Sequence, residues 1–165
     1  LEGKFRPGHF QGVCQVMNRL LDIVQPDNLY MGQKDYQQCM IVERLLKIMQ
    51  AGVALNTCGT LREPDGLAMS SRNARLNTTE RKNAVAIFKV LNCFRQKLQT
   101  GNLKDLLENG KSLLVQHGFK PDYIEIRDAK TLESLSFWDG KQQLVALVAA
   151  SMNQVRLIDN MIVTV

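Results

Sequence analysis

The first 58 residues alternate between two kinds of hydrophobic pattern, and this alternation restricts the fold more than any other feature of the chain. From Phe10 to Gln25, the residues Val13, Val16, Met17, Leu20, Leu21 and Val24 recur at the i, i+3, i+4 spacing of one helix face. Pro26 ends that helix, because it has no amide proton to continue the ladder. Asn28–Met31 (NLYM) is then a short apolar run, the length of a buried strand, bounded by Gly32. A second helix opens near Asp35, an N-cap residue type, with Gln38 three residues on in capping-box spacing. Cys39, Val42, Leu45, Leu46 and Met49 give it an apolar face, and Gly52 stops it. Val53–Cys58 (VALNTC) reads as another strand. Helix, strand, helix, strand in that order is the pattern of a parallel α/β sheet.

The following stretch, GTLREPDGLAMSSRN, is rich in Gly, Pro, Asp and Ser and reads as a loop and a domain boundary. Beyond it, Asn77 and Glu80 form an N-x-x-E start signal. That helix is predicted to run to about Gln99, with Ala84, Ile87, Leu91 and Phe94 on one face. Leu103–His117 is a further helix, closed by Gly118 and Pro121. The end differs in kind: 122–127 (DYIEIR) alternates, and 142–150 and 155–165 are rich in β-formers. These runs predict a small antiparallel sheet packed on two helices. The fold class is therefore α/β: parallel strands with helices over residues 1–60, then a small α+β domain with an antiparallel sheet over 61–165.

Charge and cysteine content narrow the function classes. The net charge is +5, but the basic excess is spread along the chain and no run of five like charges exists. A nucleic-acid arm is not indicated. The excess suits an anionic small ligand, and it equally suits a plain solvated surface. Cysteines at 14, 39, 58 and 93 match neither zinc spacing nor a C-x-x-C motif, and no metal-ligating set of side chains is identified. Free thiols point to a reducing, cytoplasmic setting. The longest apolar run, LVALVAA at 144–150, is far short of the roughly 20 residues that span a bilayer, so no membrane partner is expected. The sequence opens on Leu1 without Met or a signal-like pattern, which is expected of a processed protein or a piece of a longer chain.

Three segments place polar residues where structure alone does not require them. Gly32, Gln33, Lys34, Asp35 and Gln38 lie where a strand runs into a helix. Ligands of parallel α/β sheets bind at the carboxyl ends of strands, and a helix N-terminus favours phosphate. Lys34 would neutralise a polyphosphate there, and Gln38 would reach a small substrate. The plain alternative is that Asp35 and Gln38 cap the helix and Lys34 is a solvated charge. Met69, Ser70, Ser71, Arg72 and Asn73 offer two hydroxyls and a guanidinium, donors suited to phosphate oxygens; the plain alternative is a polar linker. Arg6-Pro7-Gly8-His9-Phe10 sets an imidazole just before a helix, a position for an acid, a base or an anion donor, and equally for a cap. His117, near a helix C-terminus, is explained by the helix dipole.

Taken in order, RPGHFQGV, QPDNLYMGQKDYQQ and REPDGLAMSSRN resemble the pantothenate synthetase (pantoate–β-alanine ligase) family. The likeness is strong over residues 1–76 and looser beyond. It implies a Rossmann-like nucleotidyltransferase domain followed by a smaller C-terminal lid domain. It implies condensation of pantoate with β-alanine at the expense of ATP with Mg²⁺, through a pantoyl adenylate, releasing pyrophosphate and then AMP. By the family pattern Gly32, Gln33, Lys34 and Asp35 line the ATP site, with Lys34 on the phosphates, and Gln38 holds pantoate. Leu61 contacts adenine through its backbone. Met69, Ser70, Ser71 and Arg72 match the family's version of the KMSKS loop, with Ser70 and Arg72 on phosphate. Arg6 and His9 lie beside the pocket. The resemblance further implies a cytoplasmic homodimer with small-molecule substrates and no nucleic acid.

The family's glycine-rich first turn, its His-x-Gly-His motif and its first pantoate-binding Gln have no counterpart here. The expectation is that Leu1 is a truncation point. Residues 1–60 would then be the rear part of the ATP/pantoate domain, 61–165 would be the complete lid domain, and the isolated 165 residues would be inactive. The alternative is a non-catalytic nucleotide-binding or interaction module. A cytidylyltransferase is disfavoured by the pairing of MSSRN with GQKDYQQ.

Overall fold

The computed structural model describes residues 1–164 and divides the chain into two compact units, Leu1–Thr60 and Leu61–Val165. In the first, helix α1 (Glu2–Phe5) precedes helix α2 (His9–Val24), strand β1 (Asn28–Gly32), helix α3 (Tyr36–Met49) and strand β2 (Ala54–Cys58). The strands pair in parallel, with Asn28 opposite Ala54 and Gly32 opposite Cys58. A parallel pair needs a crossover, and α3 supplies it. Its Val42 and Leu46 join Leu21 of α2 as the buried centre of this unit, flanked by half-buried Leu29 and Met31 of β1, Leu55 of β2 and Val53 just before it. The predicted helices and strands are thus present, while the four-residue α1 had no periodic signal to announce it.

The predicted cap of α3 does not form. Asp35 occupies the N-cap position but accepts no side-chain hydrogen bond, at φ −96° and ψ 53°. A capping box requires an extended N-cap residue. Here Gln33–Asp35 wind into a 3₁₀ turn, which takes Asp35 out of that conformation. The full capping box is found instead at Asn77 and Glu80: the Asn77 side chain accepts from the Glu80 amide at 2.9 Å, and Glu80 accepts from the Asn77 amide at 2.8 Å.

In the second unit that box starts helix α4 (Thr78–Ala84), followed by α5 (Ala86–Lys97). The single helix predicted to Gln99 is interrupted at Val85 (φ −61°, ψ −17°) and stops at Lys97, because Leu98 turns extended. Strand β3 (Gly101–Asn102), helix α6 (Lys104–Gln116) and strands β4 (Lys120–Asp128), β5 (Phe137–Trp138), β6 (Leu144–Met152) and β7 (Val155–Ile162) complete it. The sheet order is β4-β6-β7, all antiparallel. The two-residue strands β3 and β5 pair with each other and are too short to be read from a pattern. Pro121, expected to close α6, lies inside β4 at a register shift between Pro121 and Tyr123. β4 is an edge strand, where a missing amide is tolerated.

Strand β6 lies between the other two, and its residues 144–150 are all buried. Against the sheet pack Ile87, Val90, Leu91 and Phe94 of α5 and Leu114 of α6, each at most 1 % exposed. Each such side chain contributes about 1.5–3 kcal/mol relative to an exposed one. Gly110 of α6 is a close-approach position: a Cβ there would overlap the Phe94 ring and meet Val90 at 3.0 Å. Gly110→Ala gains about 1 kcal/mol of helix propensity. It loses about 1–3 kcal/mol by overpacking the buried Phe94 ring. The expected outcome is a net loss of stability, read as a lower urea midpoint at unchanged slope. A raised midpoint would show that Phe94 yields.

Candidate functional site

The predicted residues fall into two groups, one on each unit. In the first unit, β1 ends at Gly32, the 3₁₀ turn carries Gln33, Lys34 and Asp35, and α3 follows. This places all four at the carboxyl end of a parallel strand, with half-buried Gln38 in the first turn of the helix. Gly32 has an ordinary extended backbone (φ −75°), and no atom lies within 4 Å of where its Cβ would be. Neither backbone geometry nor packing demands glycine there; the residue leaves open space beside the turn, which fits the close approach of a ligand. Behind the turn, Cys39 donates to the Gly32 carbonyl at 3.5 Å. Burial, and next the Asp35 charge, push the Cys39 thiol up from its ordinary value. Gln37, not singled out from the sequence, is 8 % exposed, and its side-chain oxygen accepts from the Glu2 amide at 3.1 Å. It ties α1 to α3.

Arg6 and His9 are brought together. The guanidinium can only donate, so Arg6 Nη1 donates to His9 Nε2 at 3.1 Å, and it stands 3.7 Å from Glu2 Oε2. Gly8 between them takes a left-handed φ of 76°, which lets the chain turn into α2. His117 binds the Leu113 carbonyl through Nδ1 at 2.9 Å, a helix-end role. A cavity of about 520 Å³ opens between α3 and β2, lined by Glu43, Leu46, Lys47, Gln50 and Leu55 among others. No predicted site residue lines it, and its two charges already pair with each other at 2.6 Å.

In the second unit Leu61 and Met69 face each other across a hairpin. The Met69 amide donates to the Leu61 carbonyl at 2.9 Å, Arg62 pairs with Ala68, and the Glu63 amide donates to Leu67 at 2.8 Å. The tip is Glu63-Pro64-Asp65-Gly66, closed by the Gly66 amide on the Glu63 carbonyl at 2.8 Å. Pro at the second position and Gly at the fourth are the residues that such a turn favours. Gly66 is required twice over: its φ is +93°, and a Cβ would overlap the Phe88 ring. After the hairpin, Ser70 Oγ accepts from the Arg72 amide at 3.2 Å and starts a 3₁₀ turn over Ser71–Arg75. Met69 and Ser71 are exposed, while Ser70 and Arg72 are half-buried. Arg72 Nη1 lies 3.5 Å from the Arg156 carbonyl of β7, and Asn73 donates to the Ala68 carbonyl at 3.1 Å.

Arg62 and Asp159 escaped notice in the sequence. Arg62 donates twice to Asp159, at 2.7 and 3.1 Å, and also to the carbonyls of Gly66 (3.1 Å) and Asn160 (3.3 Å). A lone acidic residue inside the apolar run of β7 was the available signal, since an aspartate is rarely buried without a partner.

This arrangement defines an α/β protein: a parallel strand pair joined by a crossover helix, followed by a unit with an antiparallel sheet. The chain belongs to the pantoate-beta-alanine ligase family, whose profile matches residues 1–162. It is 42% identical over 163 residues to the pantothenate synthetase of Shewanella woodyi, covering 98% of this chain and 57% of that protein. The pantothenate synthetase of Bacteroides thetaiotaomicron is 39% identical, with 97% of this chain and 57% of that protein covered. The crystal structure of pantothenate synthetase from Thermus thermophilus superposes with a TM-score of 0.90 at 38% identity, over 100% of this chain and 60% of that one. The pantoate-beta-alanine ligase of Francisella tularensis, complexed with beta-gamma ATP and beta-alanine, gives a TM-score of 0.73 at 36% identity, over 99% of this chain and 54% of that one. The chain therefore spans somewhat over half the length of these relatives.

The hairpin tip has a pH signature. The Arg81 guanidinium, 2.7 Å from Asp65, holds the Asp65 carboxyl below its ordinary value of 3.8. A carboxyl lowered in the folded state stabilises the fold above its unfolded value, and the benefit is lost as pH falls through the folded value. Asp65→Asn is expected to cost about 0.2–1 kcal/mol at pH 7, since the pair is exposed. The gap from the parent protein should close as pH drops below 3.8. Denaturation midpoints measured across that range check it, and a gap constant down to acid pH would contradict it.

Proposed function

We propose that this chain is part of an enzyme that condenses pantoate with β-alanine at the expense of ATP. The observation that carries the reading is the placement of Gly32–Asp35 at the carboxyl end of β1, in a chain that matches the pantoate-beta-alanine ligase family over residues 1–162. A pantoate carboxylate oxygen attacks the α-phosphorus, the bond to the β-phosphate breaks, and pyrophosphate leaves. The β-alanine amine then attacks the acyl carbon of the pantoyl adenylate, AMP leaves, and the amine gives up a proton. Both nucleophiles come from the substrates, so the protein's contribution is positioning and charge stabilisation.

In this reading Lys34 meets the phosphates, and Gly32, Gln33 and Asp35 shape the space beside them. Gln38 reaches pantoate from the first turn of α3. The Leu61 backbone contacts adenine, Met69 and Ser71 line the nucleotide, and Ser70 and Arg72 bind phosphate oxygens. Arg6 and His9 stand at the margin as a mutually bonded pair. ATP enters as its Mg²⁺ complex, the ion riding on substrate phosphates and water, as Mg²⁺ commonly does. Among the described residues no group of three His, Cys, Asp or Glu is placed to hold a metal. No described helix is long and apolar enough to cross a membrane. We place the enzyme in the cytoplasm, as a homodimer.

The isolated 165 residues should release no AMP above background when given ATP, Mg²⁺, pantoate and β-alanine. They should still bind ATP weakly, and Lys34→Ala should weaken that binding about tenfold, the loss of one charge-assisted contact. Clear turnover by this chain would refute the inactivity. ATP affinity indifferent to Lys34→Ala would refute the role of the lysine.

A further inference from the structure

Arg62 reaches across the second unit to a strand nearly one hundred residues later in the chain, and it holds three points at once. Its guanidinium grips Asp159 with both terminal nitrogens, at 2.7 and 3.1 Å. It donates to Asn160 of the same strand at 3.3 Å and to Gly66 of its own hairpin at 3.1 Å. Its carbon Cζ sits 5.0 Å from the centre of the Phe88 ring. Asp159 is only 5 % exposed, and its Oδ1 also accepts from the Asn160 amide at 2.8 Å. Asp159 in turn is set by sheet pairing with Val148 of the buried strand β6. A bidentate arginine–carboxylate pair fixes orientation as well as distance, which a lysine cannot do.

These bonds fix the hairpin's register on β7. Arg62 pairs with Ala68, so locking Arg62 locks the adjoining pair, Leu61 and Met69. Asn73 then ties the Ser71–Arg75 turn back to the Ala68 carbonyl. We infer that Arg62 and Asp159 are positioning residues for the nucleotide: they act through the hairpin to set Leu61, Met69, Ser70 and Arg72, without touching the ligand themselves. The inference rests on the nucleotide-binding role proposed above for those four residues.

The test is a nuclear magnetic resonance titration of the 165-residue chain with ATP, following the amides of Leu61 and Met69–Arg72. The proteins compared are the parent, Arg62→Lys, Asp159→Asn, and Gly110→Ala as a control. The control overpacks Phe94 and Val90 where α6 meets α5, and so loosens the same unit at a site that makes no contact with the hairpin. The expected result is ATP-dependent shifts in the parent, affinity lowered about tenfold or more in both clamp variants, and unchanged affinity in the control. Should Arg62→Lys lose the dispersed β6 resonances, Asp159→Asn, which keeps shape and volume, carries the test alone. Parent-like affinity in the clamp variants overturns the inference, and so does an equal loss in the control, which would make the effect general destabilisation. Absence of any shift at these amides in the parent instead removes the nucleotide assignment on which the inference stands.

Discussion

The burial of strand β6 is the constraint on which the rest of the second unit depends. Seven consecutive residues, 144–150, are out of water, covered by α5 and α6 and flanked by β4 and β7. Burial alternates along β7 over Val155–Asp159, so a one-residue slip against β6 would turn its apolar set outward, and the pairing is strongly specified. That pairing puts Asp159 opposite Val148, and Asp159 holds Arg62. The Met69–Arg72 loop is thus tied through one hairpin to the best-buried part of the chain.

The first unit is built on a smaller scale. Its buried centre is Leu21, Val42 and Leu46, and its sheet has two strands. Parallel strands are ordinarily covered on both faces, yet Tyr30 of β1 is 68% exposed and Ile23 of α2 is 65% exposed. The turn bearing Lys34 therefore stands on a slighter scaffold than the loop bearing Arg72.

Where periodicity spanned several turns or alternations, the sequence made the element legible. Val13 through Val24 announced α2, and the apolar run 144–150 announced β6. The parallel pair followed from the order of elements, and Asn77–Glu80 was read correctly as a cap. The identical reasoning at Asp35–Gln38 failed, because capping depends on the backbone of the cap residue, and the preceding 3₁₀ turn sets that. Two-residue strands and the four-residue α1 carry no period at all. The candidate residues were legible as polar groups in places that structure did not require. The partner that holds one group was not, because Arg62 and Asp159 meet only through the sheet.

The loop at 61–76 rests on the large core around β6, whereas the turn at 32–38 rests on the small core of Leu21, Val42 and Leu46. Amide hydrogen exchange, resolved by residue, tests it most directly. Amides of β6 and of the Arg62–Met69 hairpin should exchange only with global unfolding of the second unit. Those of β1 and β2 should exchange much faster, through local opening. Equal protection in both sheets, or a hairpin that opens independently of β6, would contradict it.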